Sequence, residues 1–127
     1  MRVLLVDDDP LNRSVLKAML DVAGAEVTEA EDGPSGLRQV AEQPFDIVLM
    51  DLRMPGMDGL TALAELAGRS SDAPPPPVVI VTADAAPDLE SRCLQAGASG
   101  FLTKPVAMDD LFEVIARIAA RGSGAAV

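Results

Sequence analysis

A chain of 127 residues that is 49% hydrophobic and 24% charged has the balance of one globular domain, long enough to bury a single core. Ten basic and twenty acidic residues leave a net charge of −10, which repels nucleic acid and anionic membrane surfaces and excludes both as partners. With no histidine, the chain carries no Ser/His or Cys/His catalytic pair, no histidine metal ligand and no phosphohistidine, and its single cysteine, Cys93, excludes an internal disulfide. Phe45, Phe101 and Phe112 are the only aromatic residues, too few for a base-stacking platform. Met1 leads directly into an apolar strand and no stretch approaches the length of a membrane span, so a cytoplasmic location is expected.

In chain order, Val3-Leu4-Leu5-Val6 reads as a strand that ends in Asp7-Asp8-Asp9. Asp9 before Pro10 fits a helix start, and Leu11, Val15, Ala18, Met19 and Val22 make a helical stripe closed by Gly24. Glu26 to Ala30 is a charged second strand suited to a sheet edge. Asp32-Gly33 turns the chain into a helix marked by Leu37, Val40 and Ala41. Ile47-Val48-Leu49-Met50, apolar on both faces, is a strand buried on both sides that stops on Asp51. The turn Met54-Pro55-Gly56-Met57-Asp58-Gly59 leads to a helix with Leu60, Leu63, Ala64 and Ala67.

From Ser70 to Pro77 a Ser/Asp/Pro segment ends in four prolines, which predicts a stiff, extended loop. Val78 to Val81 is a third wholly apolar strand and ends in Thr82. Pro87 is suited to open the fourth helix, with Leu89, Cys93 and Ala96 inward and Gly97 as its stop. Gly100 to Thr103 is a short strand before Lys104-Pro105. Asp109 and Asp110 suit the start of the last helix, whose buried face is Leu111, Val114, Ile115 and Ile118. The expected domain is 1–121, and 122–127 reads as a flexible tail.

Five strand-helix units, three of them with strands apolar on both faces, predict an α/β fold: a five-stranded parallel sheet covered by five helices. Right-handed crossovers, apolar strands in the centre and the charged strand at an edge lead to the flavodoxin-like, doubly wound order 2-1-3-4-5. In that order Asp7, Asp8 and Asp51 converge at the switch point, with Thr82 and Lys104 beside them. Three clustered carboxylates repel one another and need a cation or a shared proton. Mg2+, which takes one or two carboxylates, waters and a phosphate, suits such a crevice. Lys104 and the Thr82 hydroxyl are then positioned for phosphoryl oxygens, and Asp51 is the expected nucleophile.

Through VDDDP, DIVLMDLRMPGMDG, VTA and AGASGFLTKP, in this order, the chain resembles the receiver domains of two-component response regulators over residues 2 to 121. The resemblance implies a phosphorylation-controlled switch with Asp51 as phosphoacceptor. It implies Asp8, Asp51 and the Arg53 carbonyl as direct Mg2+ ligands, with Asp7 acting through water. It assigns Thr82 and Lys104 to the phosphoryl group, and Thr82 with Phe101 to the switch. A histidine kinase or histidine phosphotransfer protein is then the phosphoryl donor, meeting Leu11, Asn12, Val15, Pro105 and Val106. The fourth helix, fifth strand and fifth helix form the output face toward a further partner. Lys104-Pro105 is expected to be cis, as is common in receivers.

Arg53 and Asp84, each two residues beyond a site residue on neighbouring strands, are expected to face each other at the crevice mouth and modulate the lifetime of the phosphorylated state. Such a protein is not an enzyme except toward its own aspartyl phosphate. Asn12-Arg13 after Pro10-Leu11 is similar to hybrid-kinase receivers, and both a single-domain regulator and a piece of a longer protein fit the sequence. Two other readings stand beside the switch. A haloacid-dehalogenase-like phosphotransferase also uses a strand-end Asp, but needs a second acid where Arg53 stands. An interaction module that is never phosphorylated would normally lack part of the acidic site.

Overall fold

A computed structural model describes residues 1–54, 56–67, 75–84 and 86–125. Strands and helices alternate as β1 (Arg2–Val6), α1 (Pro10–Val22), β2 (Glu26–Ala30), α2 (Gly33–Glu42), β3 (Ile47–Asp51), α3 (Gly59–Ala67), β4 (Val78–Thr82), α4 (Leu89–Gln95), β5 (Gly100–Thr103) and α5 (Met108–Ala125). The strands form one parallel sheet in the order β2-β1-β3-β4-β5, the order expected. β3 and β4 are buried at every position, whereas edge strand β2 keeps Glu26 and Glu29 in solvent. Side chains alternate across each strand, so the sheet feeds two cores. Leu4, Val6, Val48, Met50 and Ile80 meet Leu37, Leu63, Leu66 and Leu89 on the face covered by α2, α3 and α4. Val3, Leu5, Leu49, Val79 and Val81 meet Leu16, Leu20, Leu111 and Ile115 on the face covered by α1 and α5.

Sequence-level caps hold most helix starts. Asp9 accepts from the Leu11 N–H, Asp32 from Ser35 and Asp58 from Thr61, each cap worth about 1 kcal/mol. Asp109 and Asp110 lie in the first turn of α5 as expected.

The faces of the helices depart from expectation in places. On α1 the residues that reach the core are Leu16 and Leu20, while Leu11, Val15, Ala18 and Val22 lie in solvent and Met19 is half-buried. The helix carries two apolar stripes, and periodicity does not say which turns inward. The two leucines do, each contributing about 1.5–3 kcal/mol through burial. Ala96, read as inward, is exposed, as are Ala41 and Ala64 among the residues that mark α2 and α3. A methyl group loses little by exposure, so the larger neighbours Leu37, Leu66 and Cys93 set the rotation of their helices.

Two boundaries also differ. α4 begins at Leu89, with Asp88 rather than Asp9-like side-chain capping at its entry, so Pro87 precedes the helix instead of opening it. α5 takes in residues 122–125 of the segment read as tail, because extending an established helix through glycine costs only about 1 kcal/mol per residue. Residues 126–127 and 70–74 of the proline loop lie outside the described residues.

One glycine ties the fold to the crevice. A Cβ on Gly59 would stand 2.8 Å from the Asp51 carbonyl oxygen and 2.9 Å from the Leu52 Cα, both backbone atoms with no room to yield. The turn after β3 therefore folds directly onto the backbone that carries Asp51, fastened by the Gly59 N–H to the Leu52 carbonyl at 2.7 Å.

Candidate functional site

The register of the sheet decides what meets at the ends of its strands. Val6 pairs with Met50, which brings Asp7 level with Asp51 across adjacent strands. Asp51 pairs with Val81 and Thr82 with Thr103, so Thr82 and Lys104 follow on the same side. Carboxylate oxygens of Asp7, Asp8 and Asp51 all lie within 4.8 Å of one another, with Asp7 and Asp51 buried and Asp8 exposed.

Lys104 closes the cluster. Its Nζ donates to Asp7 Oδ2 and Asp51 Oδ2, both at 3.2 Å, and so supplies the cation that the repelling carboxylates require. The main chain fixes its approach, since the Lys104 N–H donates to the Thr82 carbonyl at 2.8 Å; the Lys104-Pro105 bond is cis, as expected. Asp51 also accepts a long bond from the Arg53 N–H at 3.3 Å.

The charges are not fully balanced. Burial, and then the neighbouring Asp7 carboxylate, hold the Asp51 carboxyl above its ordinary pKa, and the opposing pull of Lys104 does not cancel them. For Lys104, burial disfavours the charge, but Asp51 and Asp7 together outweigh it and raise the pKa. Three oxygen donor groups, one exposed and without a hydrogen bond or ion pair among the described residues, suit a hard divalent cation of the Mg2+ type.

Thr82 is buried at the end of β4, and its hydroxyl accepts from the Asp84 N–H at 3.0 Å. Asp84 forms an ion pair with Arg53 across the mouth of the crevice, as the spacing suggested. Their side chains are 22% and 74% exposed, so Asp84 sits at the rim while Arg53 reaches over it from solvent. The hydrogen bond from Arg53 lowers the Asp84 pKa, and the same bond raises that of Arg53.

The remaining sequence candidates lie around this centre rather than in it. Leu11 and Val15 are 71% and 48% exposed on α1, Asn12 and Val106 are half-buried and Pro105 is exposed. Phe101, half-buried on β5, packs against the core beneath α4 and opens toward a groove of about 480 Å³ between α4, β5 and α5. Sequence reasoning gave Arg13 no role at the site, yet its guanidinium donates to the Asp7 carbonyl at 2.6 Å. Nothing in the spacing reveals that contact, which depends on α1 turning back over the end of β1.

A family model described as the response regulator receiver domain matches residues 3–116. The chain is 40% identical over 120 residues to the sensory/regulatory protein RpfC of Xanthomonas campestris pv. campestris, a match covering 94% of this chain and 16% of that protein. It is 36% identical over 116 residues to the sensor histidine kinase GacS of Pseudomonas protegens, covering 90% of this chain and 13% of that one. The chain thus spans less than a fifth of the curated relatives it matches. Among solved structures, it resembles the receiver domain of the sensor histidine kinase PA1611 of Pseudomonas aeruginosa PAO1. The two share 35% identity and a TM-score of 0.82 over 93% of this chain and 97% of the other, whose crystal structure has a magnesium ion coordinated in the active site cleft.

Proposed function

Because this chain belongs to the response regulator receiver domain family, whose members act as phosphorylation-controlled signalling modules, we propose that Asp51 accepts a phosphoryl group from a histidine kinase or a histidine phosphotransfer protein. The observation that carries this reading is the pair of bonds from Lys104 to Asp7 and Asp51, with Asp8 less than 4.8 Å away. In the transfer, the donor N–P bond breaks as an Asp51 carboxylate oxygen forms the new O–P bond, and the donor imidazole keeps the electron pair. Asp8, Asp51 and the Arg53 carbonyl would hold Mg2+, with Asp7 reaching it through water, and the ion would supply positive charge to offset that on the phosphoryl oxygens. Lys104 turns from the two carboxylates to one phosphoryl oxygen, and the Thr82 hydroxyl, whose oxygen accepts from the Asp84 N–H, donates its hydrogen to another.

The donor docks on exposed Leu11 and Val15 and half-buried Asn12 of α1 with Pro105 and Val106, and output passes through α4, β5 and α5 by way of Thr82 and Phe101. Arg53 and Asp84 set how long the phosphorylated state lasts. The domain resides in the cytoplasm, and its only turnover is of its own acyl phosphate. No described helix is long and apolar enough to cross a membrane. The dehalogenase-like alternative loses support because Arg53, where that chemistry needs an acid, is held by Asp84.

Intact-mass measurement tests the central step. Incubation with acetyl phosphate and MgCl2 should add one phosphoryl group to the wild type and none to Asp51→Asn. An unmodified wild type, or a modified Asp51→Asn, sinks the assignment.

A further inference from the structure

Phosphoryl transfer as set out above makes no use of Arg13, although this residue reaches the backbone between the two leading acids. We infer that Arg13 is a positioning residue for the metal-binding acids: it grips the Asp7 carbonyl, is steered by Glu29, and so fixes the peptide that aims Asp8 at Asp51.

Asp7 is held at every polar atom. Its N–H donates to the Ala30 carbonyl at 3.1 Å, Oδ1 accepts from the Asp9 N–H at 2.9 Å and Oδ2 accepts from Lys104 at 3.2 Å. Its carbonyl accepts from Arg13 Nη1 at 2.6 Å, a short, charge-assisted bond. Asp8 is the opposite case: exposed, its carboxylate has no hydrogen bond or ion pair among the described residues. The direction of Asp8 is thus set by the backbone, and the carbonyl that Arg13 holds belongs to the Asp7–Asp8 peptide.

The guanidinium is itself fastened. Arg13 Nε donates to Glu29 Oε1 on edge strand β2 at 3.2 Å, and the Arg13 side chain is only 16% exposed. One fork of donors thereby joins α1, β2 and the end of β1, a geometry a lysine ammonium reproduces poorly. Groups that orient metal ligands in this way typically change metal affinity about 10- to 100-fold when removed.

A purely electrostatic role has the opposite sign. A guanidinium near a cation site repels the cation, so deleting it for charge alone would tighten binding. The inference rests on the proposed reading of Asp7, Asp8 and Asp51 as the Mg2+ site, and the test separates the two. MgCl2 titrations of the full 15N-labelled chain, followed by amide chemical shifts, give the dissociation constant and report the fold at once. The expected result is about tenfold weaker Mg2+ binding for Arg13→Ala and partial rescue in Arg13→Lys. Glu29→Gln should weaken binding by a smaller factor and add nothing in the Arg13→Ala background. Unchanged or tighter binding in folded Arg13→Ala overturns the inference. Should that variant not fold, unchanged binding in both Arg13→Lys and Glu29→Gln overturns it. A wild type that does not bind Mg2+ overturns the reading of the site along with it.

Discussion

Asp51 meets two opposed demands, since burial favours a neutral carboxyl whereas the proposed phosphoryl acceptance and metal binding need the carboxylate. Its folded-state pKa is raised, so the stability it contributes to the metal-free protein is fully present below the unfolded value near 3.8 and is lost as pH rises through the folded value. Lys104, also raised, keeps its contribution at neutral pH and loses it only above its own ordinary value near 10.5. Metal-free Asp51→Asn should therefore melt above the wild type at pH 7 to 8, with the gap closing as pH falls toward 4. Melting curves in EDTA across that range measure it, and a gap that widens on acidification contradicts the sign. Arg53 and Asp84 act at the same scale. They are paired, and in the proposed reading this pair hinders the in-line approach of water to the phosphoryl group. Arg53→Ala and Asp84→Ala should each speed loss of phosphate about three- to tenfold, a small barrier change, and the double mutant should be no faster than either. Slower decay in Asp84→Ala would instead mean that its carboxylate positions the attacking water.

Among the elements, α1 shows both what a pattern reveals and what it conceals. Leu11, Val15 and Val22 of its outer stripe lie in solvent, so Leu11→Asp should change stability by no more than about 0.5 kcal/mol. The same change should slow phosphotransfer from a phosphorylated histidine donor domain about tenfold or more while acetyl phosphate labels the variant normally. Equal loss with both donors would mean the site itself was damaged. The stripe was legible because apolar residues recurred at helical spacing; its direction was not, because Leu16 and Leu20 form a second stripe on the opposite side. Strands β1, β3 and β4 were legible for a firmer reason: apolar residues on both faces fit little except the centre of a covered parallel sheet. Their order followed, and with it the meeting of Asp7, Asp51, Thr82 and Lys104. The Arg13 clamp was not legible, since it requires Glu29 of an edge strand and a carbonyl of another strand to converge on one side chain.

Across the whole molecule, the site and the groove between α4, β5 and α5 are joined through two neighbouring strands. Ile80 pairs with Phe101 and Thr82 with Thr103, so a shift of Thr82 is felt one strand away. The Thr82 hydroxyl accepts from the Asp84 N–H, and Phe101 lies half-buried against the core beneath α4. A phosphoryl group on Asp51 offers that hydroxyl a charged acceptor, and a hydrogen bond to a charge is worth roughly twice a neutral one. In the proposed switch, drawing Thr82 toward Asp51 vacates space for the Phe101 ring, which lines the groove. In that reading the phosphoryl group shifts the populations of two packings, and only by the difference in how well it is held in each. Phe101→Ala removes the ring that distinguishes them without touching Asp51, Asp8 or Lys104. Amide hydrogen exchange over residues 89–103, with and without acetyl phosphate, should therefore change on phosphorylation in the wild type and change far less in Phe101→Ala, although both acquire one phosphoryl group. A variant that fails to accept phosphate would move Phe101 from the relay into the site, and an exchange response as large as the wild type's would remove it from the relay.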